Sequence, residues 1–175
     1  PSNVDIPVTR IAATLPAPTP FASARVFEAD QYRIAVPEGW RYADISQGAL
    51  VSHYWDNQTA SAPPTAYVSV ALLEADVTST SALRASVEQY VRHYLAQGGQ
   101  MPPLIDDATA PDGTIRQSYR RDPNGTIEAG QMDVFYIARA PYLVVVQVFS
   151  ADSTGDTLVP TFQHMLDSLQ VKGVS

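Results

Sequence analysis

The run Tyr142-Leu143-Val144-Val145-Val146-Gln147-Val148-Phe149 decides the fold. Seven of its eight side chains are aliphatic or aromatic, and four are Val. Branching at Cβ suits a pleated strand better than a helix. Successive side chains of a strand point to opposite faces. Tyr142, Val144, Val146 and Val148 therefore share one face. Leu143, Val145, Gln147 and Phe149 share the other. Both faces are apolar, so both need cover. The run is expected to be a central strand, with Val144 and Val145 under opposite layers. It is far shorter than the ~18 apolar residues of a transmembrane helix, and no longer run exists.

Working outward, the preceding residues supply strands that pair with it. Residues 114–121 and 126–139 read as a hairpin around Asp122-Pro123-Asn124-Gly125-Thr126, a strong turn signal. That turn sets Arg120 opposite Glu128. It also puts Ile115, Tyr119, Ile127, Phe135 and Ile137 on one face. Ala140-Pro141 then turns the chain into 142–149. Further upstream, residues 25–28, 31–36, 49–55 and 66–74 read as strands. Leu104 to Ala108 holds a short one. Between them the period changes to three and four: Leu83, Val87, Tyr90, Val91, Tyr94, Leu95. That spacing is a helix face, with Ser81 as its N-cap and Gly98-Gly99 as its stop. A second helix carries Phe162, Met165, Leu166 and Leu169, with Pro160 expected in its first turn. Residues 171–175 read as a frayed end. The expected fold is α+β: a mainly antiparallel sheet sandwiched between two helices, α/β/α in section.

Residues 1–23 are rich in Pro, Ala and Thr and contain Leu15-Pro16-Ala17-Pro18-Thr19-Pro20. They read as a polyproline-type linker or disordered tail. Residues 24–175 then form a single domain. The chain begins at Pro1 rather than Met, so a removed leader is expected, and a lipid anchor upstream of it is an option. There is no Cys, which removes disulfides, thiolate metal sites and thiol catalysis. Formal net charge is −7, which argues against nucleic acid as a partner.

The run Tyr32-Arg33-Ile34-Ala35-Val36-Pro37-Glu38-Gly39-Trp40 resembles the early strand–Pro–turn–Trp signature of PsbP-like domains. The order of elements over residues 25–170 is similar too, ending in Phe162-Gln163-His164-Met165-Leu166-Asp167-Ser168-Leu169. The resemblance implies an α/β/α sandwich and a non-catalytic, partner-binding role of the kind seen in exported bacterial lipoproteins. It transfers no binding residue, because such domains bind different things through different surfaces.

The residues themselves offer one candidate site. Trp40, Tyr42, His53 and Trp55, with Tyr54 between the last two, are close in sequence. Paired strands would bring several together as a stacking platform for a ligand. Trp and Tyr are equally at home in a core or at a sheet end. His53, His93 and His164 show no metal-ligand spacing. Arg116, Arg120, Arg121 and Arg139 offer an anion site, with Glu128 and Asp133 as the plainer cross-strand partners. Asp152-Ser153-Thr154-Gly155-Asp156 has a faint calcium-loop look but not the EF-hand spacing. Glu74 and Asp76 end a strand. No nucleophile elbow, phosphate loop or dinucleotide fingerprint is found, so no cofactor is expected. The expected function is a non-catalytic, exported cell-envelope domain that binds a partner protein or an envelope ligand. The alternative is a small-molecule-binding protein or enzyme with an aromatic-lined pocket at the sheet edge.

Overall fold

The computed structural model describes residues 24–96, 102–123 and 127–172. The linker at 1–23, the Gly98-Gly99 stop and the Asn124-Gly125-Thr126 turn lie outside these residues. In chain order the elements are β1 (Ala24–Glu28), β2 (Tyr32–Pro37), β3 (Arg41–Asp44), β4 (Val51–Asp56) and β5 (Ala66–Glu74). Then come α1 (Thr80–Tyr90), a π-helical turn (Val91–Leu95), β6 (Leu104–Thr109), β7 (Ile115–Arg121) and β8 (Gly130–Arg139). The chain closes with β9 (Tyr142–Ala151), α2 (Gly155–Ser168) and β10 (Gln170–Val171).

Seven strands form one antiparallel sheet in the order β3-β4-β5-β9-β8-β7-β6. The valine-rich strand β9 is at its centre. It pairs over its length with β5, Val144 facing Leu72, and with β8, Val144 facing Ile137. Leu143, Val144, Val145, Val146, Val148 and Phe149 are all buried. Each such side chain contributes about 1.5–3 kcal/mol relative to exposure. The one polar residue of the run, Gln147, donates a hydrogen bond to the Tyr90 hydroxyl at 3.2 Å.

The pleat divides the core as the alternation requires. Leu143, Val145 and Phe149 pack with Leu83, Val87 and Tyr90 of α1. Val144, Val146 and Val148 pack with Phe162 and Met165 of α2. A helix alone does not make the second cover. A three-stranded sheet, in the order β1-β2-β10, also contributes Tyr32, Ile34 and Val36 to that cluster.

Several local expectations need correction. Arg120 faces Gln131, not Glu128. That is a slip of three residues, an odd number, so the faces swap. Ile115, Tyr119 and Ile127 belong to the first cluster, Phe135 and Ile137 to the second. The N-cap of α1 is Ser79, whose hydroxyl accepts from the Ala82 N–H at 3.1 Å. Pro160 falls in the second turn of α2. Its lost hydrogen bond is tolerated because Asp156, whose carbonyl it would have used, is exposed. Val171 is not frayed: with Gln170 it lines the second edge of β2, opposite Tyr32 and Arg33 respectively, while 173–175 lie outside the described residues. β3 carries no apolar alternation and all four of its residues are exposed, so its sequence gives no strand signal.

Candidate functional site

The aromatic residues are organised by β4 and its neighbours. In the ladder Tyr42 faces Trp55 and Asp44 faces His53. All four positions share one face of the sheet. The small sheet lies against that face and adds Phe27 from β1 and Tyr32 from β2. Phe27 is the hub: its ring centroid lies 5.0 Å from His53, 5.0 Å from Trp55, 5.1 Å from Tyr42 and 6.0 Å from Tyr32. The result is an aromatic box with Phe27 inside it.

The box has a rigid floor and one exposed wall. Trp55 and Tyr32 are fully buried, and His53 is 6% exposed. Tyr42 is 44% exposed on β3, the edge strand of the large sheet, and Ile45, just past that strand, is 45% exposed. The Tyr32 hydroxyl and His53 Nδ1 are 2.6 Å apart. Burial pushes the Tyr32 phenol up and the His53 imidazole down. Nearby Asp44 opposes the shift on His53 without reversing it, and Asp44 is itself held low by hydrogen bonds from Ser46. Tyr32 therefore keeps its proton and His53 stays neutral, so the pair is an uncharged hydrogen bond. The Trp55 Nε1 is buried with no hydrogen-bond partner among the described residues.

Three of the four residues singled out from sequence, Tyr42, His53 and Trp55, meet here. Trp40 does not join them. It packs edge-on against Phe162 of α2 at 6.5 Å, and its carbonyl accepts from Arg25. Phe27 and Tyr32 were missed. Tyr32 was legible as the buried phase of Tyr32-Ile34-Val36; Phe27 had only its aromaticity to mark it.

Tyr54 points to the opposite face. There it meets Tyr67 at 5.4 Å, which stacks on Phe149 at 5.1 Å. The Arg121 guanidinium lies 5.6 Å over the Phe149 ring and donates to the Tyr67 hydroxyl. Behind this row Gly130 leaves room: a Cβ there would sit 2.2 Å from the Ser150 carbonyl and 2.7 Å from Phe149.

The charged candidates are engaged elsewhere. Arg116 pairs with Asp106, Arg84 with Asp107, and Arg120 with Asp152. The anticipated partners Glu128 and Asp133 instead accept from Ser153 and Ser118. Arg139 donates to its neighbour's carbonyl at Ala138. The Asp152–Asp156 loop thus leads into α2 with its first acid bound to Arg120, which holds that carboxyl below its usual range. His93 Nδ1 is 3.0 Å from the Gln89 carbonyl, and His164 lies on α2. Glu74 and Asp76 line an open groove of about 420 Å³ with His93 and Tyr94. Among the described residues no three His, Asp or Glu side chains are placed to hold a metal ion.

Neither a family model nor a curated protein matches this sequence. Solved structures do. A cyanobacterial PsbP, CyanoP from Synechocystis sp. PCC 6803, superposes with a TM-score of 0.57, covering 87% of this chain and 94% of that one at 15% identity. The fold is PsbP-like. The Ran-binding protein Mog1p of Saccharomyces cerevisiae has the same architecture, with a TM-score of 0.53 at 14% identity, covering 85% and 95% of the two chains. A Mog1 point mutant scores 0.51, again at 14% identity, with 85% and 96% covered. At these identities the likeness concerns the path of the backbone. That likeness assigns no role to the aromatic box.

Proposed function

We propose that this chain is a non-catalytic binding domain of the cell envelope, and that it recognises a partner protein through the sheet edge carrying Tyr42. One observation carries the reading. Tyr42 is exposed on the edge strand β3, backed by the buried ring of Trp55, and Ile45 is exposed farther along the same edge. An amphipathic aromatic on a rigid support is the usual anchor of a protein interface. His53, the titratable member of the cluster, is buried and bonded to Tyr32, a poor arrangement for proton transfer to a substrate. The PsbP-like neighbours support the reading, since Mog1p is itself described as Ran-binding. Export is supported by the Pro-rich residues 1–23, the lack of Cys and the acidity. A small-molecule pocket built from Trp40, Tyr42, His53 and Trp55 is the weaker reading, because Phe27 fills the space between the last three and Trp40 packs on Phe162 instead.

The test is affinity capture from the native host with the wild-type chain, Tyr42→Arg and Ile45→Glu, alongside cell fractionation of the full-length product. The expected result is a partner held by the wild type and lost by both variants, whose melting temperatures stay close to the wild type. Capture of the same partner by all three would move the site elsewhere. A product confined to the cytosol would remove the envelope from the proposal.

A further inference from the structure

The box already has an occupant, and the occupant is the chain's own edge strand. β1 pairs with β2 and, among the described residues, has no strand on its other side. Of its five residues only Phe27 is partly buried; the others are exposed, Val26 by 66%. Among the described residues its remaining ties are two surface contacts: Arg25 to the Trp40 carbonyl, and Glu28 to Lys172. Exposed contacts of this kind hold weakly.

The walls do not depend on β1. His53 and Trp55 sit on β4, between β3 and β5. β2 is held from its other side by β10. It is also held by α2, whose Ser168 hydroxyl accepts the Ala35 N–H at 2.9 Å. Departure of β1 would therefore leave the box standing and one edge of β2 open. The present occupant is also imperfect: among the described residues the indole N–H of Trp55 has no acceptor, and the Phe27 side chain carries no oxygen or nitrogen to supply one.

Resting on the binding-domain reading above, we propose that β1 is a displaceable strand. In its place the domain takes an extended partner segment that adds to β2 and puts an aromatic ring where Phe27 lies. β1 itself shows the chemistry of the occupant: extended backbone, antiparallel to β2, aromatic side chain opposite Ile34. Adding a strand to an open edge supplies affinity through the main chain and specificity through the pocketed side chain.

The experiment uses the full chain carrying Phe27→Ala and a labelled peptide of sequence Ala-Arg-Val-Phe-Glu-Ala-Asp, the chain's residues 24–30. A twin peptide has Ala in place of Phe. Binding is read by fluorescence anisotropy and by NMR shifts of the Trp55 indole and the His53 ring. The expected result is binding to F27A about tenfold or more tighter than to the wild type, where the tethered β1 competes, and none by the twin. No binding to a folded F27A chain, or equal binding by the twin, overturns the proposal. Should F27A not fold, amide exchange of the wild type decides. β1 amides exchanging well before those of β5 and β9 support displacement; exchange in step with β9 overturns it. The two readings fail separately. A peptide that stays out while Tyr42→Arg loses the partner defeats strand exchange alone. A peptide that enters while capture ignores Tyr42 defeats the proposed interface alone.

Discussion

His53 and Trp55 on one face of β4, and Tyr54 on the other, belong to two different aromatic assemblies. The first is a box of Tyr32, Tyr42, His53 and Trp55 around Phe27. Its parts come from two sheets, and its filler from a strand tied to one neighbour. The second is a row, Tyr54–Tyr67–Phe149, running across adjacent strands of one sheet and ending under Arg121. Three consecutive residues are thus separated by the pleat. The row is a cross-strand ladder, held by the same hydrogen bonds that hold the sheet. The box is a contact between layers, and it keeps its filler only while β1 stays in place.

The largest effect is expected in the row. Phe149→Ala removes a buried ring from the central strand and should cost about 3–5 kcal/mol in urea unfolding. Phe27→Ala should cost clearly less, about 1–3 kcal/mol, because its ring is only half-buried and its strand lies at an edge. Equal losses would mean that β1 is as integral as β9. Gly130→Ala crowds Phe149 and the Ser150 carbonyl and should cost about 1–3 kcal/mol, with the row's ring resonances shifted in NMR spectra and those of the box unmoved.

A pH titration isolates the box. Burial holds the folded His53 below its ordinary value, near 6.5 in the unfolded chain. Below that pH the unfolded state binds the extra proton, so stability is present above ~6.5 and is lost as pH falls toward the folded value. His53→Gln should flatten this dependence just below pH ~6.5, the unfolded histidine value. An unchanged slope in the variant would place the titration elsewhere. The smallest effect is Arg121→Ala, about 0.5–1 kcal/mol for a half-buried cation–π contact. Combined with Phe27→Ala its effect should add, since the two assemblies share no side chain.

Legibility followed how many residues carry a signal. β9 was readable because six apolar neighbours leave no alternative to two-sided burial. β5 and β2 were readable from alternation, which marks Tyr32, Ile34 and Val36 as inward. β3 was not, because Arg41, Tyr42, Ala43 and Asp44 are exposed and their strand state comes from the ladder to β4. The β7–β8 register was missed because turn chemistry at Asp122–Thr126 suggested a tighter connection than the strands allow. Of the box, Tyr42, His53 and Trp55 stood out as aromatic neighbours in sequence, while Trp40 was drawn in by proximity and belongs with Phe162.

The sequence by itself determined the period of each element, the centrality of β9 and the two faces it buries, because hydrophobic side chains must leave water whatever their partners. Only the tertiary structure decided which rings share a box, that Phe27 fills it, and that Gln170 and Val171 close the small sheet. Those are meetings between residues far apart in the chain, fixed by how layers dock. No local preference encodes them.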